Sequence, residues 1–414
     1  MAKRLTSLAI GAAIVGLRAL KPRADFDFRG KSVVITGGSR GLGLVMARQL
    51  ADEGARVAIL ARDEAELERA RQDLAGRGAE VLALSCDVRE RAQVKGTIAR
   101  VAAEFGAIDV LINNAGAIQT GPVEHMAVED FENALNTHLW GPLYTILESV
   151  PHMQRQGGGR IVNISSIGGK IAVPHLAPYS TSKFALAGLS NALHAELAPH
   201  KIKVTTVYPG LMRTGSHFNA TFKGQHEREF AWFSIVDSLP VTSIDARRAA
   251  SQIIAACRAG QPQLTISIQA KALALFAGVF PNLATSALAL FDRFLPAPTG
   301  AEGDALKTGW ESQSGWAPSL LTTLGDQATV ENNGLNGHAP PASVAGEPER
   351  TPAMVDTNDQ IPPKPSQAEG DRETVEQDLG ERPAPRERAV GQPDAAPADI
   401  GRQRPSQAEG ERDE

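Results

Sequence analysis

The sequence has few cysteines, few aromatic residues and no large excess of either charge. Its 414 residues include only Cys86 and Cys257 as cysteines, and neither a C-x-x-C nor an H-E-x-x-H spacing occurs. Two cysteines cannot form a disulfide framework, so we expect two free core thiols, and without these spacings we expect no bound metal. The formal net charge of -5 lacks the basic excess typical of nucleic-acid-binding proteins, so we expect no nucleic-acid partner.

Aromatic residues are also absent after Trp316, and the composition changes at about residue 300. Pro, Gly, Glu, Asp, Gln and Arg dominate from there, and the hexapeptide Pro-Ser-Gln-Ala-Glu-Gly occurs at 365–370 and again at 405–410. Such a segment cannot bury enough apolar surface to offset the entropy lost on ordering. We therefore predict a disordered, low-complexity tail over residues 300–414.

Between residues 30 and 262, short apolar runs alternate with helical patterns. The runs predict buried strands at 31–36, 56–61, 81–84, 109–112, 160–164, 204–208 and, just beyond, 264–268. Continuous apolar strands separated by helices indicate a parallel sheet covered on both faces. We predict an α/β fold with one Rossmann-like, doubly wound domain of about seven strands, preceded by an extension over 1–29 and followed by an apolar segment over 263–299.

A glycine-rich turn, Thr36-Gly-Gly-Ser-Arg-Gly-Leu-Gly43, joins the first predicted strand to a helix. Its glycines let the backbone approach a pyrophosphate, and the helix start offers free N–H groups to it. The second strand ends at Ala61 without the acid that binds an NAD ribose, whereas Arg40 and Arg62 can pair with a 2′-phosphate. We therefore expect NADP(H), with Asp63 capping the next helix; alternatively, both arginines are solvated surface residues.

Tyr179 and Lys183 lie four residues apart on a predicted helix, so their side chains share a face. A phenol has a pKa of about 10, and a nearby ammonium favours the phenolate, so the pair can act as a general acid/base. Ser166 follows the fifth predicted strand, at the sheet edge where such folds place their ligands. Its hydroxyl can therefore hold a substrate oxygen against Tyr179.

Together these residues resemble the short-chain dehydrogenase/reductase family over about residues 30–260. The similarity rests on Thr36-Gly-x-x-x-Gly41-x-Gly43, Asp87, Asn113-Asn-Ala-Gly116, Ser166, Tyr179-x-x-x-Lys183, Pro209-Gly210 and Thr214. The resemblance implies hydride transfer between a nicotinamide and a substrate carbon. Tyr179 would exchange the hydroxyl proton, Ser166 would position the oxygen, and Lys183 would also bind the nicotinamide ribose. Asp87 and Asn114 would lie beside the adenine and its ribose, and Thr214 would contact the carboxamide. The full set of expected cofactor contacts is Thr36, Gly37, Ser39, Arg40, Gly41, Leu42, Gly43, Arg62, Asp87, Val88, Asn114, Ala115, Gly116, Tyr179, Lys183, Pro209, Gly210 and Thr214.

His138 stands where the family usually has an asparagine, counting back from Gly141. The resemblance associates that asparagine with a kinked helix and with a water that leads protons to the lysine. An imidazole can hold a water and titrates near neutrality, so we predict that His138 serves in the proton relay. The alternative is a histidine that only packs.

Substrate and location are indicated by apolar segments. Residues 211–243, where the family has its substrate lid, are rich in aromatics: Phe218, Phe222, Phe230, Trp232 and Phe233. They predict an apolar or lipid-like substrate; the alternative is that they only pack the lid onto the core. Residues 5–17 and 272–291 are apolar, but the first is too short to span a bilayer and Pro281-Asn282 breaks the second into two short helices. We expect a cytoplasmic enzyme with both segments in peripheral contact with the inner face of a membrane; alternatively, the second closes the substrate pocket or a dimer interface.

The combined prediction is an NADP(H)-dependent, homo-oligomeric oxidoreductase that interconverts the hydroxyl and carbonyl forms of a small molecule. The competing hypothesis is a catalytically decayed NADP(H)-binding scaffold whose tail recruits a partner, with His138 as its support. A sugar-nucleotide epimerase would usually need a larger substrate domain, whereas the extra length here is predicted tail.

Overall fold

The computed structural model describes residues 26–344 and is centred on a seven-stranded parallel sheet. The strands within residues 26–344 are β1 Ser32–Thr36, β2 Arg56–Ala61, β3 Val81–Ser85, β4 Val110–Asn113, β5 Gln119–Thr120, β6 Gly159–Ile164, β7 Ile202–Pro209, β8 Leu211–Arg213, β9 Thr221–Phe222, β10 Ser243–Asp245, β11 Gln263–Ile266 and β12 Lys307–Thr308. The order in the main sheet is β11-β7-β6-β4-β1-β2-β3, with every neighbouring pair parallel. The predicted doubly wound sheet of seven strands is confirmed.

Helices cover both faces of this sheet. They are α1 Gly41–Asp52, α2 Glu64–Gly76, α3 Arg91–Phe105, α4 Val128–Leu135, α5 Gly141–Arg155, α6 Ala177–Glu196, α7 His226–Ser238, α8 Ala246–Ala259, α9 Ile268–Val279, α10 Pro281–Asp292 and α11 Thr323–Glu331. Successive residues of a strand point to opposite faces, so Val33 and Ile35 pack in the layer with α1, α2 and α8, while Val34 packs with α3 and α5. This is why the strands read as continuous apolar runs.

The strand order reverses between β1 and β4, and the loops after these two strands form a crevice at the carboxyl edge of the sheet. Such a switch point is where open α/β sheets bind their ligands. The glycine-rich turn follows β1, the Asn113 turn follows β4 and Ser166 follows β6. The fold therefore brings the predicted cofactor and catalytic residues to one edge.

The prediction of disorder from residue 300 onward is wrong for residues 300–344. This stretch contains β12, which pairs antiparallel with β9, and helix α11. Trp310 stacks between the rings of Phe218 and His338, with centroids 4.3 Å away on each side. Composition did not reveal these partners because they are distant in sequence. Residues 345–414, the rest of the predicted tail, lie outside the described residues.

Two further predictions concern the ends of the domain. Phe28, assigned from sequence to an N-terminal extension, is buried in the core, so the folded domain begins before residue 30. The predicted apolar segment at residues 5–17 lies outside the described residues. The segment 272–291 forms parts of α9 and α10, which confirms the two predicted short helices. None of the helices within residues 26–344 combines the length and hydropathy needed to cross a bilayer.

Candidate active site

The glycine-rich turn and the turn after β4 are tied together by hydrogen bonds. The Thr36 hydroxyl accepts from the amides of Asn114 and Ala115 at 3.0 and 3.1 Å, and the Asn114 side chain donates to the carbonyls of Thr36 and Gly37. A Cβ on Gly43 would lie 2.0 Å from the Gly37 carbonyl oxygen, so only glycine fits there. Asn114 thus fixes the shape of the turn in addition to its predicted place beside the cofactor.

The start of α1 offers backbone donors at this turn. Among the described residues, the amides of Leu42 and Gly43 have no hydrogen-bond acceptor, as expected for the first turn of a helix. The Gly41 amide, in contrast, donates to the Asn332 carbonyl at 2.9 Å. The two remaining donors and the positive end of the helix suit an anionic ligand.

The two predicted phosphate-binding arginines lie in different settings. Arg40 donates to the Glu66 carboxylate at 2.9 Å and to the Asn219 side chain at 2.8 Å, and Ser39 also donates to Glu66. Arg62 is exposed and forms no salt bridge within residues 26–344, although its charge helps to lower the pKa of the Asp87 carboxyl. The predicted cap is confirmed, because Asp63 accepts from the Glu66 amide at 2.7 Å. The pairing of Arg40 with Glu66 is not predictable from the sequence, since neither spacing nor motif connects the two residues.

The remaining predicted cofactor residues lie along the same edge. Asp87 pairs with Arg89 at 2.6 Å, and this bond lowers the pKa of the Asp87 carboxyl. Val88 is buried against Gly141, and a Cβ on Gly116 would lie 3.0 Å from His138. Pro209 ends β7 and Gly210 follows it. Thr214 is buried. It lies beside the glycine-rich turn, where a Cβ on Gly41 would be 3.8 Å from the Thr214 carbonyl oxygen.

Ser166, Tyr179 and Lys183 converge at the carboxyl end of β6. The Ser166 hydroxyl accepts from the Gly168 amide at 3.0 Å and lies beside Tyr179 on α6, since a Cβ on Gly168 would be 3.3 Å from the Tyr179 ring and 3.4 Å from Ser166 Oγ. Lys183, one turn further along α6, has its Nζ 5.6 Å from the centroid of the Tyr179 ring. That Nζ donates to the Ile164 carbonyl at 2.9 Å. The structure brings the three predicted residues into one small group.

Burial shapes the titration of this group. It raises the pKa of Tyr179 above its ordinary value of 10.0, against the opposing effect of the Ser166 hydrogen bond, and the nearby Asp237 carboxylate raises it further. Burial also lowers the pKa of Lys183 from 10.5 to about 7. The phenol therefore holds its proton at neutral pH in the cofactor-free protein, and the phenolate expected from sequence is not favoured there.

His138 lies in a π-helical turn, Asn136–Trp140, that joins α4 to α5 at the point where the resemblance implied a kinked helix. Its Nε2 accepts from the Ala117 amide at 3.2 Å, so Nδ1 carries the proton and donates to Ser182 Oγ at 2.8 Å. Ser182 in turn donates to the Tyr179 carbonyl. Complete burial, and then the charge of Lys183, keep the pKa of His138 well below 6.5. Both ring nitrogens are thus engaged, and the relay remains a prediction that requires one of these bonds to open.

A buried polar network lies beneath the catalytic group. Asn113 donates to Asn163 at 2.9 Å, Asn163 donates to Ser190, and Thr206 donates to the same serine at 2.7 Å. Thr145 completes it with a 2.6 Å bond to Asn113. Five buried side chains from β4, α5, β6, α6 and β7 satisfy one another, which fixes α6 relative to the sheet.

The lid, residues 211–243, carries its aromatics inward. Phe218, Phe222, Phe230 and Phe233 are buried in one cluster, with Trp232 and Trp310 packed against it. This arrangement matches the packing alternative, so these aromatics give no support to an apolar substrate. The lid also buries Asp237, whose pKa burial raises to about 6, and His217, which bonds Asp326 at 3.0 Å.

The two cysteines lie within the described residues. Cys86 and Cys257 are both buried and free, as predicted. Within residues 26–344, no group of three or more histidine, cysteine, aspartate and glutamate side chains is arranged to bind a metal ion.

Comparison with known proteins gives one family. The family model described as short chain dehydrogenase matches residues 31–223. The "Putative oxidoreductase SadH" of Mycobacterium tuberculosis is 33% identical over 256 residues, which cover 61% of this chain and 92% of that protein. The matched family model ends within the lid, so α7 and everything after it lie beyond the match.

Solved structures show the same fold with both nicotinamide cofactors. The actinorhodin polyketide ketoreductase with NADPH is 31% identical, with a TM-score of 0.52, and the alignment covers 57% of this chain and 95% of that one. The NAD+-bound xylitol dehydrogenase is 28% identical, also with a TM-score of 0.52, and covers 58% of this chain and 99% of that one. Because these two neighbours hold different cofactors, the choice of cofactor depends on local residues.

Proposed function

This chain belongs to the short-chain dehydrogenase family of oxidoreductases, and we propose that it interconverts a hydroxyl and a carbonyl group with NADP(H). The observation that carries the proposal is the convergence of Ser166, Tyr179 and Lys183 at the carboxyl edge of the sheet, beside the glycine-rich turn. When bound, the nicotinamide would supply or accept the hydride. The chain's own residues would place the substrate oxygen and move its proton.

The titration of the catalytic group favours the direction of carbonyl reduction near neutral pH. Tyr179 retains its proton, because burial and Asp237 raise its pKa, and it can donate that proton to the substrate oxygen. Ser166, fixed by the Gly168 amide, would hold the same oxygen. Lys183 would leave the Ile164 carbonyl to bond the nicotinamide ribose, and its protonated form would lower the pKa of Tyr179 during turnover.

The residues present fit a dinucleotide with a 2′-phosphate. The free amides of Leu42 and Gly43 suit the pyrophosphate. Because Gly43 has no Cβ, the turn can pack tightly against Gly37 and still leave room for that group. Where the adenine ribose would lie, β2 ends at Ala61, which is not an acid, and the exposed Arg62 follows it. Arg62 supplies a guanidinium that forms no salt bridge within residues 26–344. Arg40 would contribute by exchanging one of its bonds to Glu66 or Asn219.

A binding titration tests the cofactor assignment. We expect wild-type protein to bind NADPH at least tenfold more tightly than NADH, and Arg62→Ala to weaken NADPH alone by about ten- to a hundredfold, the value of a charge-assisted bond. Arg71→Ala, which removes an exposed ion pair with Glu68 on α2, is the matched control and should change neither affinity. Equal or tighter binding of NADH by the wild type would contradict the assignment.

The substrate is proposed to be an apolar carbonyl compound, because the apolar helices α9 and α10 border the site. A Cβ on Gly210 would lie 3.4 Å from Ala270 of α9, and Asp292 of α10 lies 3.7 Å from His175, four residues before Tyr179. The test is the rate of NADPH oxidation with ketones and aldehydes of increasing chain length, for which we expect kcat/KM to rise with length. A rate that falls with length would exclude an apolar substrate. NADPH binding without turnover of any carbonyl would favour the decayed scaffold instead.

Peripheral membrane contact is proposed for the α9–α10 surface, the set of exposed apolar side chains Leu275, Val279, Phe280, Leu283 and Phe294, with Phe294 81% exposed. Such a patch exceeds the isolated apolar residues common on monomers. We expect co-sedimentation with vesicles of phosphatidylcholine and phosphatidylglycerol, lost in a Leu275→Ser and Phe280→Ser double variant but retained in the control Val241→Ser, which removes an exposed valine elsewhere. If the double variant instead dissociates an oligomer, the surface is the predicted homo-oligomer interface.

A further inference from the structure

The segment that follows the family match contacts the glycine-rich turn. We call residues 322–336, which contain α11 and the turn after it, the C-terminal clamp. The Gly41 amide donates to the Asn332 carbonyl at 2.9 Å, and the Asn333 side-chain amide donates to the carbonyls of Ser39 and Glu66 at 2.9 and 3.0 Å. The C-terminal clamp therefore forms direct hydrogen bonds to two residues of the glycine-rich turn, Ser39 and Gly41.

Asn333 uses both polar atoms of its side chain at this contact. Its Oδ1 accepts from Arg69 Nε at 2.7 Å, while its amide makes the two bonds to Ser39 and Glu66. Its backbone has a φ of +59°, a left-handed conformation that asparagine tolerates better than most residues. Both the side chain and the backbone of this position thus suit asparagine.

The position of Asn333 is fixed by its neighbours. Arg48, on α1, donates to the Glu331 carbonyl at 3.2 Å and to the Asn332 side chain at 3.3 Å. Asn332 is only 5% exposed. These bonds hold the end of α11 against α1. The contact between Asn333 and the glycine-rich turn is therefore supported by buried, hydrogen-bonded neighbours.

The C-terminal clamp also holds the lid. Asp326 forms a fully buried pair with His217 at 3.0 Å, and Asn219 donates to the Gly334 carbonyl at 3.2 Å. The same Asn219 accepts from Arg40 in the glycine-rich turn. One short segment therefore connects the turn that would hold the phosphates to the lid that would cover the substrate.

The bonds of the C-terminal clamp leave the phosphate donors open. It takes the Gly41 amide, whereas the amides of Leu42 and Gly43 stay without an acceptor in residues 26–344. Holding a loop in its binding conformation removes the ordering cost that a ligand would otherwise meet. A segment that merely obstructed the crevice would be expected to occupy those amides as well.

We propose that the C-terminal clamp is part of the cofactor-binding apparatus and that Asn333 is a positioning residue for NADP(H), acting through its bonds to the Ser39 and Glu66 carbonyls while the adjacent Asn332 carbonyl holds the Gly41 amide. The inference rests on the proposed function, since it takes the glycine-rich turn to be the cofactor site. It assigns a binding role to a segment that lies outside the family match and whose composition resembles that of a disordered tail.

The test compares variants of the full chain by NADPH fluorescence titration. Asn333→Asp cannot donate to Ser39 and Glu66 but keeps the acceptor for Arg69, and Asn333→Gly removes all three bonds without adding charge and tolerates the positive φ. We expect each to raise the Kd for NADPH about tenfold, the worth of one to two hydrogen bonds, with kcat at saturating NADPH changed less than about twofold. The control Arg247→Ala, on α8 outside the C-terminal clamp, removes only the exposed pair with Glu331 and should leave the Kd unchanged.

Hydrogen exchange of the cofactor-free proteins provides a readout that needs no ligand. We expect the Gly41 amide to exchange faster in both Asn333 variants than in wild type and in Arg247→Ala, because loss of the Asn333 bonds loosens the adjacent Asn332 carbonyl that accepts from it. Wild-type affinity in the Asn333 variants, even with a lowered melting temperature, overturns the inference, and so does tighter binding, which would mean that the segment obstructs the crevice. If wild type itself binds neither NADPH nor NADH, the proposed function fails, and the exchange result alone then shows whether the C-terminal clamp orders the turn.

Discussion

The buried ammonium of Lys183 predicts that the cofactor-free protein becomes more stable as the pH rises above about 7. Lys183 is 4% exposed and burial lowers its pKa from 10.5 to about 7, whereas in the unfolded chain it titrates at the ordinary value. Between these two values the unfolded state binds a proton that the folded state has released, so the free energy of unfolding increases with pH. Below about pH 7 both states carry the charge and the full penalty applies.

Lys183→Met removes this titration while keeping a long side chain. The difference between 10.5 and about 7 corresponds to about 5 kcal/mol in total, since each pKa unit is worth about 1.4 kcal/mol. About 2 kcal/mol of this falls between pH 7 and pH 9, where most proteins can be measured. The advantage of the variant over wild type should shrink by that amount across this range.

The assay is urea denaturation of both proteins, without cofactor, at pH 7, 8 and 9. The lost bond to the Ile164 carbonyl shifts the variant equally at every pH and leaves the trend unchanged. Cys257, whose pKa burial raises to about 12, lowers stability with rising pH in both proteins and cancels in the difference. Two stability curves that stay parallel from pH 7 to pH 9 would refute the reasoning.

Three further predictions follow from the same structure. Phe230→Ala, which empties the centre of the lid cluster, should lower the free energy of unfolding by about 3–5 kcal/mol in urea denaturation, whereas a loss under 1 kcal/mol would mean that the lid aromatics do not pack as described. His138→Asn should shift the pH–rate profile if His138 relays protons, and an unchanged profile would leave it a packing residue. Iodoacetamide should modify neither Cys86 nor Cys257 in the native protein and both in urea, because burial raises the pKa of each thiol; rapid native labelling would contradict that burial.

The strands and the catalytic pair could be predicted because their signals are local. A buried parallel strand is an uninterrupted apolar run, and Tyr179 and Lys183 meet because four residues make about one helical turn. The cap by Asp63 was predictable for the same reason, since Ncap and N3 are three residues apart.

What could not be predicted depends on partners distant in the chain. Arg40 meets Glu66 and Asn219, and Asn333 meets Ser39, across separations that no periodicity reports. Residues 300–344 look like a disordered tail because they have no long apolar run, and several of their partners lie far away in the lid and the glycine-rich turn. The lid aromatics were equally compatible with a substrate and with packing until the cluster around Phe218 and Trp310 was located.

The most direct test of the central claim is the rate of NADPH-dependent carbonyl reduction by Tyr179→Phe, measured beside its affinity for NADPH. The substitution removes one hydroxyl and leaves the ring that packs near His138. If Tyr179 donates the proton, kcat should fall by about a hundredfold to ten-thousandfold while the Kd for NADPH changes less than about threefold. A variant that retains more than a tenth of the wild-type kcat would contradict the proposed chemistry.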